Sequence, residues 1–287
     1  MSIKDLPEMN DISDGDQFTI VDHMVYRNGK QIPFIPHEKR SGRTTIDPKF
    51  FIYHYTAGRY GIDSTVNFMK NADTKADVHL VLDASGRLVQ MAPLNEKCWH
   101  AGKSAYDGYN GLNSWSNGIE VINPGPLDII GRGIYKTWYG VVYYNPTVAV
   151  GGGESVRNQY PNAIAHPGIV EMSHQIHTSD PKKGWIPYTP EQINVMTNLS
   201  QAIVRNYGSK LLGHDEITDR KRDPGPLSQI EMMRDIIAGR DDVDDEDTVV
   251  EHVEEVVRFY VPENRATDSG VNSIGGFMGL ISRLFNR

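Results

Sequence analysis

The sequence predicts an α/β fold: one mixed central β-sheet flanked by helices, forming a single main catalytic domain. Three observations predict it. Short apolar or alternating runs bounded by turn residues read as strands, amphipathic segments with capping signals read as helices, and the helices fall between and after the strands. At 287 residues the chain can bury one sizeable core with appended segments.

Residues 1–48 read as an N-terminal extension, acidic at first and then hairpin-like. Met24-Val25-Tyr26 and residues 32–35 flank Arg27-Asn28-Gly29-Lys30, and Asn-Gly is a strong two-residue turn signal. The catalytic domain is expected over residues 49–239. Its strands are residues 51–55, 78–83, 88–92, 119–123 and 210–213, with Ala84-Ser85-Gly86 as a hairpin turn. A first helix is expected over residues 63–71. A second follows Thr189-Pro190-Glu191-Gln192, a capping box with Pro at the first helical position. Its apolar residues Ile193, Met196, Leu199, Ile203 and Tyr207 recur at helical spacing, and Gly208 is a natural stop. Ser228 and Glu231 open a third helix, whose Ile230, Met233 and Ile237 face the sheet before Gly239 ends it. Residues 124–187, rich in Gly, Pro and Tyr, show no clear period and read as a loop-rich insertion. Residues 240–270 open with an acidic run and read as a linker.

Charge and cysteine usage narrow the chemistry. The 29 basic and 37 acidic residues give a net charge of −8, which disfavours nucleic acid as a partner. The single cysteine, Cys98, excludes an intramolecular disulfide framework and a cysteine-rich zinc module, so any metal must come from His, Asp or Glu. The first residues contain no apolar signal region, so the expectation is synthesis in a cytoplasm without a leader.

His54 lies at the end of a predicted strand, where a lone histidine is usually a packed core residue. His214 directly follows another predicted strand, so two strand-end imidazoles can meet on one sheet edge. Asp223 stands nine residues later, on a loop that Pro224-Gly225-Pro226 keeps from becoming helical. Two imidazoles and a carboxylate are a donor set for a hydrolytic zinc with one position open to water. Spacing alone leaves Asp215 and Glu216 as rival carboxylates.

Five segments, in order, carry a resemblance. They are residues 52–58 (Ile-Tyr-His-Tyr-Thr-Ala-Gly), 78–90 (Val-His-Leu-Val-Leu-Asp-Ala-Ser-Gly-Arg-Leu-Val-Gln), 99–104 (Trp-His-Ala-Gly-Lys-Ser) and 113–120 (Asn-Ser-Trp-Ser-Asn-Gly-Ile-Glu). The fifth is split between 213–217 (Gly-His-Asp-Glu-Ile) and 220–226 (Arg-Lys-Arg-Asp-Pro-Gly-Pro). Together they resemble the motifs of the zinc N-acetylmuramoyl-L-alanine amidases, the family of phage endolysin amidases, cytosolic muropeptide-recycling amidases and peptidoglycan-recognition proteins. The resemblance implies Zn2+ held by His54, His214 and Asp223, choosing Asp223 over Asp215. It implies that Lys221 stabilises an oxyanion and that Glu120 is the acid/base, since Val78 stands where relatives lacking that glutamate carry a tyrosine. The implied substrate is the amide between the lactyl group of N-acetylmuramic acid and L-alanine in peptidoglycan.

Trp99, His100, Asn113 and Trp115 are expected along the glycan or peptide groove, because aromatic and amide groups suit sugar faces and peptide bonds. His79 is expected to pack, and His174 and His177 to hold no second metal. The extension, insertion and tail favour a phage-type endolysin, a monomer acting on the host wall, over a recycling amidase or a non-catalytic recognition protein. Residues 271–287 form an amphipathic tail (Val271, Ile274, Met278, Ile281, Phe285) that could contact a membrane or outer envelope or dock on a protein surface.

Overall fold

The structure, a computed structural model, describes residues 16–37, 44–58, 61–71, 73–74 and 76–239. The acidic segment and the amphipathic tail lie outside the described residues. The chain divides into two compact units, one of Met1–Pro124 with Tyr188–Ile237, the other built on Gly125–Pro187.

In chain order the first unit begins with β1 (Phe18–Val21), β2 (Met24–Arg27), β3 (Lys30–Gln31), β4 (Phe50–Tyr55), α1 (Ile62–Lys70), β5 (Leu80–Leu82) and β6 (Leu88–Gln90). A small hairpin, β7 (Ala105–Tyr106) and β8 (Tyr109–Asn110), then leads to β9 (Ser116–Val121). The second unit contains β10 (Asp128–Gly131), β11 (Ile134–Lys136), β12 (Val142–Tyr144), α2 (Gly152–Gln159), β13 (Ile164–Ala165), β14 (Val170–Met172) and β15 (Lys183–Trp185). The chain then returns to the first unit as α3 (Pro190–Tyr207), β16 (Lys210–Gly213), α4 (His214–Ile217) and α5 (Ile230–Ala238).

The main sheet has the order β16-β4-β9-β5-β6, with β16, β4, β9 and β5 parallel and β6 antiparallel to β5. β4 is buried at every position except its last, as a strand covered on both faces must be. The pleat sorts its residues. Phe51 and Tyr53 join Ile119, Val121 and Leu211 in the core beneath α3 and α5, while Phe50 and Ile52 join Leu212 on the opposite face. α1 covers part of that opposite face, burying Ile62, Val66 and Met69 against Val78, Val81 and Val89.

The N-terminal hairpin forms as expected, turning through Asn28 and Gly29 at φ 52° and 76°. It is no appendage: Phe18, Val25 and Ile32 lie in the same buried cluster as Phe51 and Tyr53. Buried Arg27 pairs with Asp16 and donates to Gly86 O at 2.9 Å, which ties the hairpin to the turn before β6.

α3 starts where the capping box places it. Thr189 Oγ1 accepts from Gln192 N at 3.1 Å, Gln192 Oε1 accepts from Thr189 N at 3.0 Å, and Gly208 ends the helix at φ 67°. Thr189 Oγ1 also donates to Ala84 O at 2.7 Å. Thr189→Ala therefore removes a cap and a tertiary hydrogen bond, and should lower the unfolding free energy by about 1–2 kcal/mol in urea titrations. α5 begins later than its sequence signal: Gln229 takes a left-handed φ of 59°, so Ser228 stands outside the helix.

The segment read as a loop-rich insertion has secondary structure of its own. β10, β11 and β12 form an antiparallel meander to which β13 adds in parallel, and β14 pairs antiparallel with β15. Leu127, Tyr135, Tyr143, Ile169 and Ile186 close a separate small core. Gly184 is required there, because a Cβ would meet the Tyr135 ring at 2.6 Å.

Candidate metal centre

The site grows out of strand register. β16 and β4 run parallel with Gly213 opposite Tyr53, so the next residue, His214, comes level with His54. On the other side His54 is paired with Glu120 of β9. Paired residues share a face of a sheet, so His54 and Glu120 stand on the face of Ile52, Gly118 and Leu212, opposite α3 and α5. All three residues lie at or just beyond the carboxyl ends of parallel strands, where α/β sheets place their ligands.

The turn after β16 is held by the carboxylate that sequence left as a rival. Glu216 Oε2 accepts from Gly213 N at 2.6 Å and pairs with Arg234 at 2.6 Å, and Arg234 also donates to Leu211 O at 2.7 Å. The Asp223 loop is fixed at both ends. Asp215 N donates to Asp223 O at 2.9 Å, and Tyr188 Oη donates to Pro224 O at 2.8 Å. Glu216 is thus committed to structure, leaving Asp223 to point inward.

His54 Nδ1, His214 Nδ1 and Asp223 Oδ2 form a near-equilateral triangle, with edges of 2.9, 2.8 and 2.8 Å. All three residues are buried. The triangle fits a metal on chemical grounds. Donors bound about 2.0–2.1 Å from one zinc ion stand roughly 3 Å apart, and two imidazoles with a carboxylate suit Zn2+. Three lone-pair-bearing atoms this close repel one another unless a proton or a cation lies among them.

Electrostatics follow from the burial. Desolvation, reinforced by His214, holds the His54 imidazole down at about 4 against the opposing pull of the Asp223 carboxylate. Burial pushes the Asp223 carboxyl up, but the two imidazoles resting against its Oδ2, His214 and His54, outweigh it and hold the group well below the usual carboxylate range. Glu120 is pushed up to about 8 by desolvation, with Asp223 adding to the rise and Lys221 opposing it. Its Oε2 is buried with no hydrogen-bond partner among the described residues.

A pH dependence follows for metal-free protein. The folded state holds the Glu120 proton up to about pH 8, the unfolded chain only to its ordinary value of 4.5, so folding loses stability as pH rises between them. Glu120→Gln should therefore match the parent near pH 5 and exceed it by roughly 2–4 kcal/mol at pH 8. Urea unfolding of chelator-stripped protein at both pH values reads the difference.

The remaining candidates separate by environment. Trp99 is 53% exposed under the Lys97 ammonium at 4.5 Å, and Trp115 is 38% exposed against Tyr109. Lys221 is exposed, yet its charge lowers both His54 and Glu120. Asn113, expected along the groove, is buried, and its Oδ1 is taken by the amides of His100 at 3.0 Å and Ala101 at 2.7 Å. His100, also expected there, has its Nδ1 3.0 Å from His54 Nε2, behind the metal-facing edge of that ring. In both residues polar atoms are engaged within the fold.

His79 accepts from Gly118 N at 3.1 Å and donates to Glu96 O at 2.7 Å. His174 Nδ1 accepts from the amides of Ile176 and His177, both at 3.2 Å. Among the described residues one other group could converge on an ion: His37, Asp77 and Cys98. Both His37 ring nitrogens, however, face carbonyls, Met69 O at 2.8 Å and Val78 O at 3.0 Å, so that imidazole is committed to the backbone.

Comparison with known proteins meets this geometry. The family model Amidase_2, N-acetylmuramoyl-L-alanine amidase, matches residues 44–226, which include the triangle and Glu120. N-acetylmuramoyl-L-alanine amidase AmiD of Escherichia coli K12 is 27% identical over 190 residues, 62% of this chain and 49% of AmiD. 1,6-anhydro-N-acetylmuramyl-L-alanine amidase AmpD of the same organism is 35% identical over 54 residues, 19% of this chain and 30% of AmpD. The crystal structure of AmpDh3 from Pseudomonas aeruginosa aligns with a TM-score of 0.43 at 19% identity, covering 88% of each chain. The chain thus spans about half the length of AmiD and under a third of AmpD. With a family model matched over more than half its length, the chain belongs to the Amidase_2 family of N-acetylmuramoyl-L-alanine amidases.

Proposed function

We propose that the protein is a zinc amidase that cleaves the bond between the lactyl group of N-acetylmuramic acid and L-alanine in peptidoglycan. The observation that carries this reading is the buried triangle of His54, His214 and Asp223 with Glu120 beside it on the next strand. His54 and His214 supply neutral nitrogen donors and Asp223 the compensating negative charge. Bound there, zinc supplies Lewis acidity that polarises the scissile carbonyl and makes hydroxide accessible near neutral pH.

The chain's own groups do the rest. Glu120 Oε2, free of protein partners, takes the proton of the attacking water and returns it to the amide nitrogen, which leaves poorly unless protonated. A carboxyl near neutrality suits both halves of that task, and a cation bound beside it would draw it down from the value of about 8 that Lys221 already moderates. Lys221, whose charge is felt at both His54 and Glu120, is the residue to offset the negative charge that develops on the carbonyl oxygen. Trp99 and Trp115, exposed near the residues that support the site, offer faces to sugar or peptide.

We read the natural substrate as the intact wall, as for an endolysin. What supports this is the folded second unit, an addition that a soluble muropeptide would not require. Rates on purified sacculi and on soluble anhydro-muropeptide, each with and without chelator, test it. Chelator-sensitive release favouring sacculi is expected; faster turnover of the soluble substrate would assign a recycling role, and binding without release would leave only recognition.

A further inference from the structure

Polar atoms around His54 form an ordered chain that ends at a backbone carbonyl, Leu112 O. Ser116 Oγ lies 2.6 Å from Leu112 O, a pure acceptor, so the hydroxyl proton is given to that carbonyl. Toward His100 Nε2, at 3.3 Å, Ser116 Oγ can then act only as an acceptor, and Ser116 O at 3.4 Å is an acceptor as well. His100 Nε2 must therefore carry the ring proton. Neutral imidazole has one donor and one acceptor, so His100 Nδ1 is the acceptor. It lies 3.0 Å from His54 Nε2, which must be the donor. His54 Nδ1 is left with its lone pair toward His214 and Asp223.

From this we infer that His100 is a positioning residue. With Ser116 and the Leu112 carbonyl it fixes the tautomer of His54, so that Nδ1 meets a metal unprotonated. The inference rests on the zinc reading of the triangle. His214 has no such support among the described residues, where its buried Nε2 finds no hydrogen-bond partner, so the presetting belongs to one ligand of the three. It also opposes the Asp223 carboxylate, 2.8 Å from His54 Nδ1, which would otherwise draw the proton to the metal-facing nitrogen. A ligand imidazole whose far nitrogen is held by a hydrogen bond is better oriented and more basic.

The space for His100 is made by Gly118. A Cβ there would meet His100 Nδ1 at 2.5 Å and Cε1 at 2.7 Å, so the ring lies against bare backbone. Gly118 is not at positive φ, so its requirement is spatial rather than conformational. The Gly118 amide donates to His79 Nδ1, and the His79 ring meets His100 edge-on at 5.6 Å. Asn113 Oδ1 holds the His100 amide. The His100 ring is thus held by its backbone, its faces and its far nitrogen.

The test is zinc affinity, measured by competition with a chromophoric chelator, on the full chain. His100→Leu keeps bulk but removes the acceptor, and should weaken zinc binding by about 10–100-fold. His100→Asn, whose Oδ1 stands near the place of Nδ1, should lose less than about tenfold. Gly118→Ala removes no polar atom, yet should weaken binding by displacing the ring; it also serves if His100→Leu does not fold. Nitrogen-15 spectra of the metal-free parent should show His54 protonated at Nε2 and bare at Nδ1. A proton on Nδ1 in the parent, or equal affinities for parent and His100→Leu, would overturn the relay while leaving the zinc site standing. Equal losses in His100→Leu and His100→Asn would reduce His100 to packing. A parent that binds no zinc would overturn the site itself.

Discussion

Asp223→Ala is expected to empty the site of zinc and to slow amide cleavage by about 1,000-fold or more. Several kcal/mol of charge stabilisation come from a catalytic metal, and each 1.36 kcal/mol is a factor of ten in rate. Asp223 brings the only negative charge in the donor triangle, and both imidazoles rest against its Oδ2 at 2.8 Å. Its removal leaves two imidazoles facing each other at 2.9 Å with no negative charge between them, and burial holds that of His54 down. Asp215→Asn is the control. Its carboxylate follows His214 directly but is outside the convergent group, so zinc content should remain near one per chain. Metal analysis and cleavage assays on the two variants separate the rival carboxylates. Full zinc content in Asp223→Ala would contradict the assignment.

Glu120→Gln should retain zinc and lose about 100- to 10,000-fold in kcat, with KM little changed. Glutamine matches glutamate in shape but can neither take a proton from water nor pass one to the leaving nitrogen. The same change should stabilise metal-free protein above pH 5, because Glu120 is a buried carboxyl pushed up to about 8. Lower activity with higher stability is the signature of a group kept for chemistry rather than for packing. A loss under tenfold would assign the proton transfer to another group.

Much of this architecture is legible in the residues because local pattern and tertiary role agree. The run of residues 51–55 reads as a strand, and it lies within β4, the second strand of the main sheet. Thr189 and Gly208 mark the ends of α3 because caps are local interactions. The second unit was hidden for a physical reason. Its strands are two to four residues long, too short to display a period of two, and its core is assembled from Leu127, Tyr135, Tyr143, Ile169 and Ile186, scattered over the segment. The N-terminal hairpin showed its turn but not its burial, since only tertiary packing reveals Phe18 against the main core.

At the site the pattern is similar. Strand-end placement brought His54 and His214 together in thought, and parallel register brings them together in space. For Asn113 and His100 the sequence shows polar residues in an aromatic neighbourhood but not the partners they take. Their hydrogen bonds instead run inward, across 12 to 46 positions that no local reading spans. One accessible clue was Gly118, a glycine immediately before the strand predicted over residues 119–123, where a missing side chain signals close approach of another group.

The most direct measurement is a zinc titration of chelator-stripped protein on purified sacculi, following newly exposed L-alanine amino groups and reducing sugar ends together. Amino groups should appear in proportion to added zinc and plateau at one ion per chain, with no new reducing ends. Cleavage that proceeds undiminished without metal, or that yields reducing ends in place of L-alanine amino groups, would contradict the zinc amidase account.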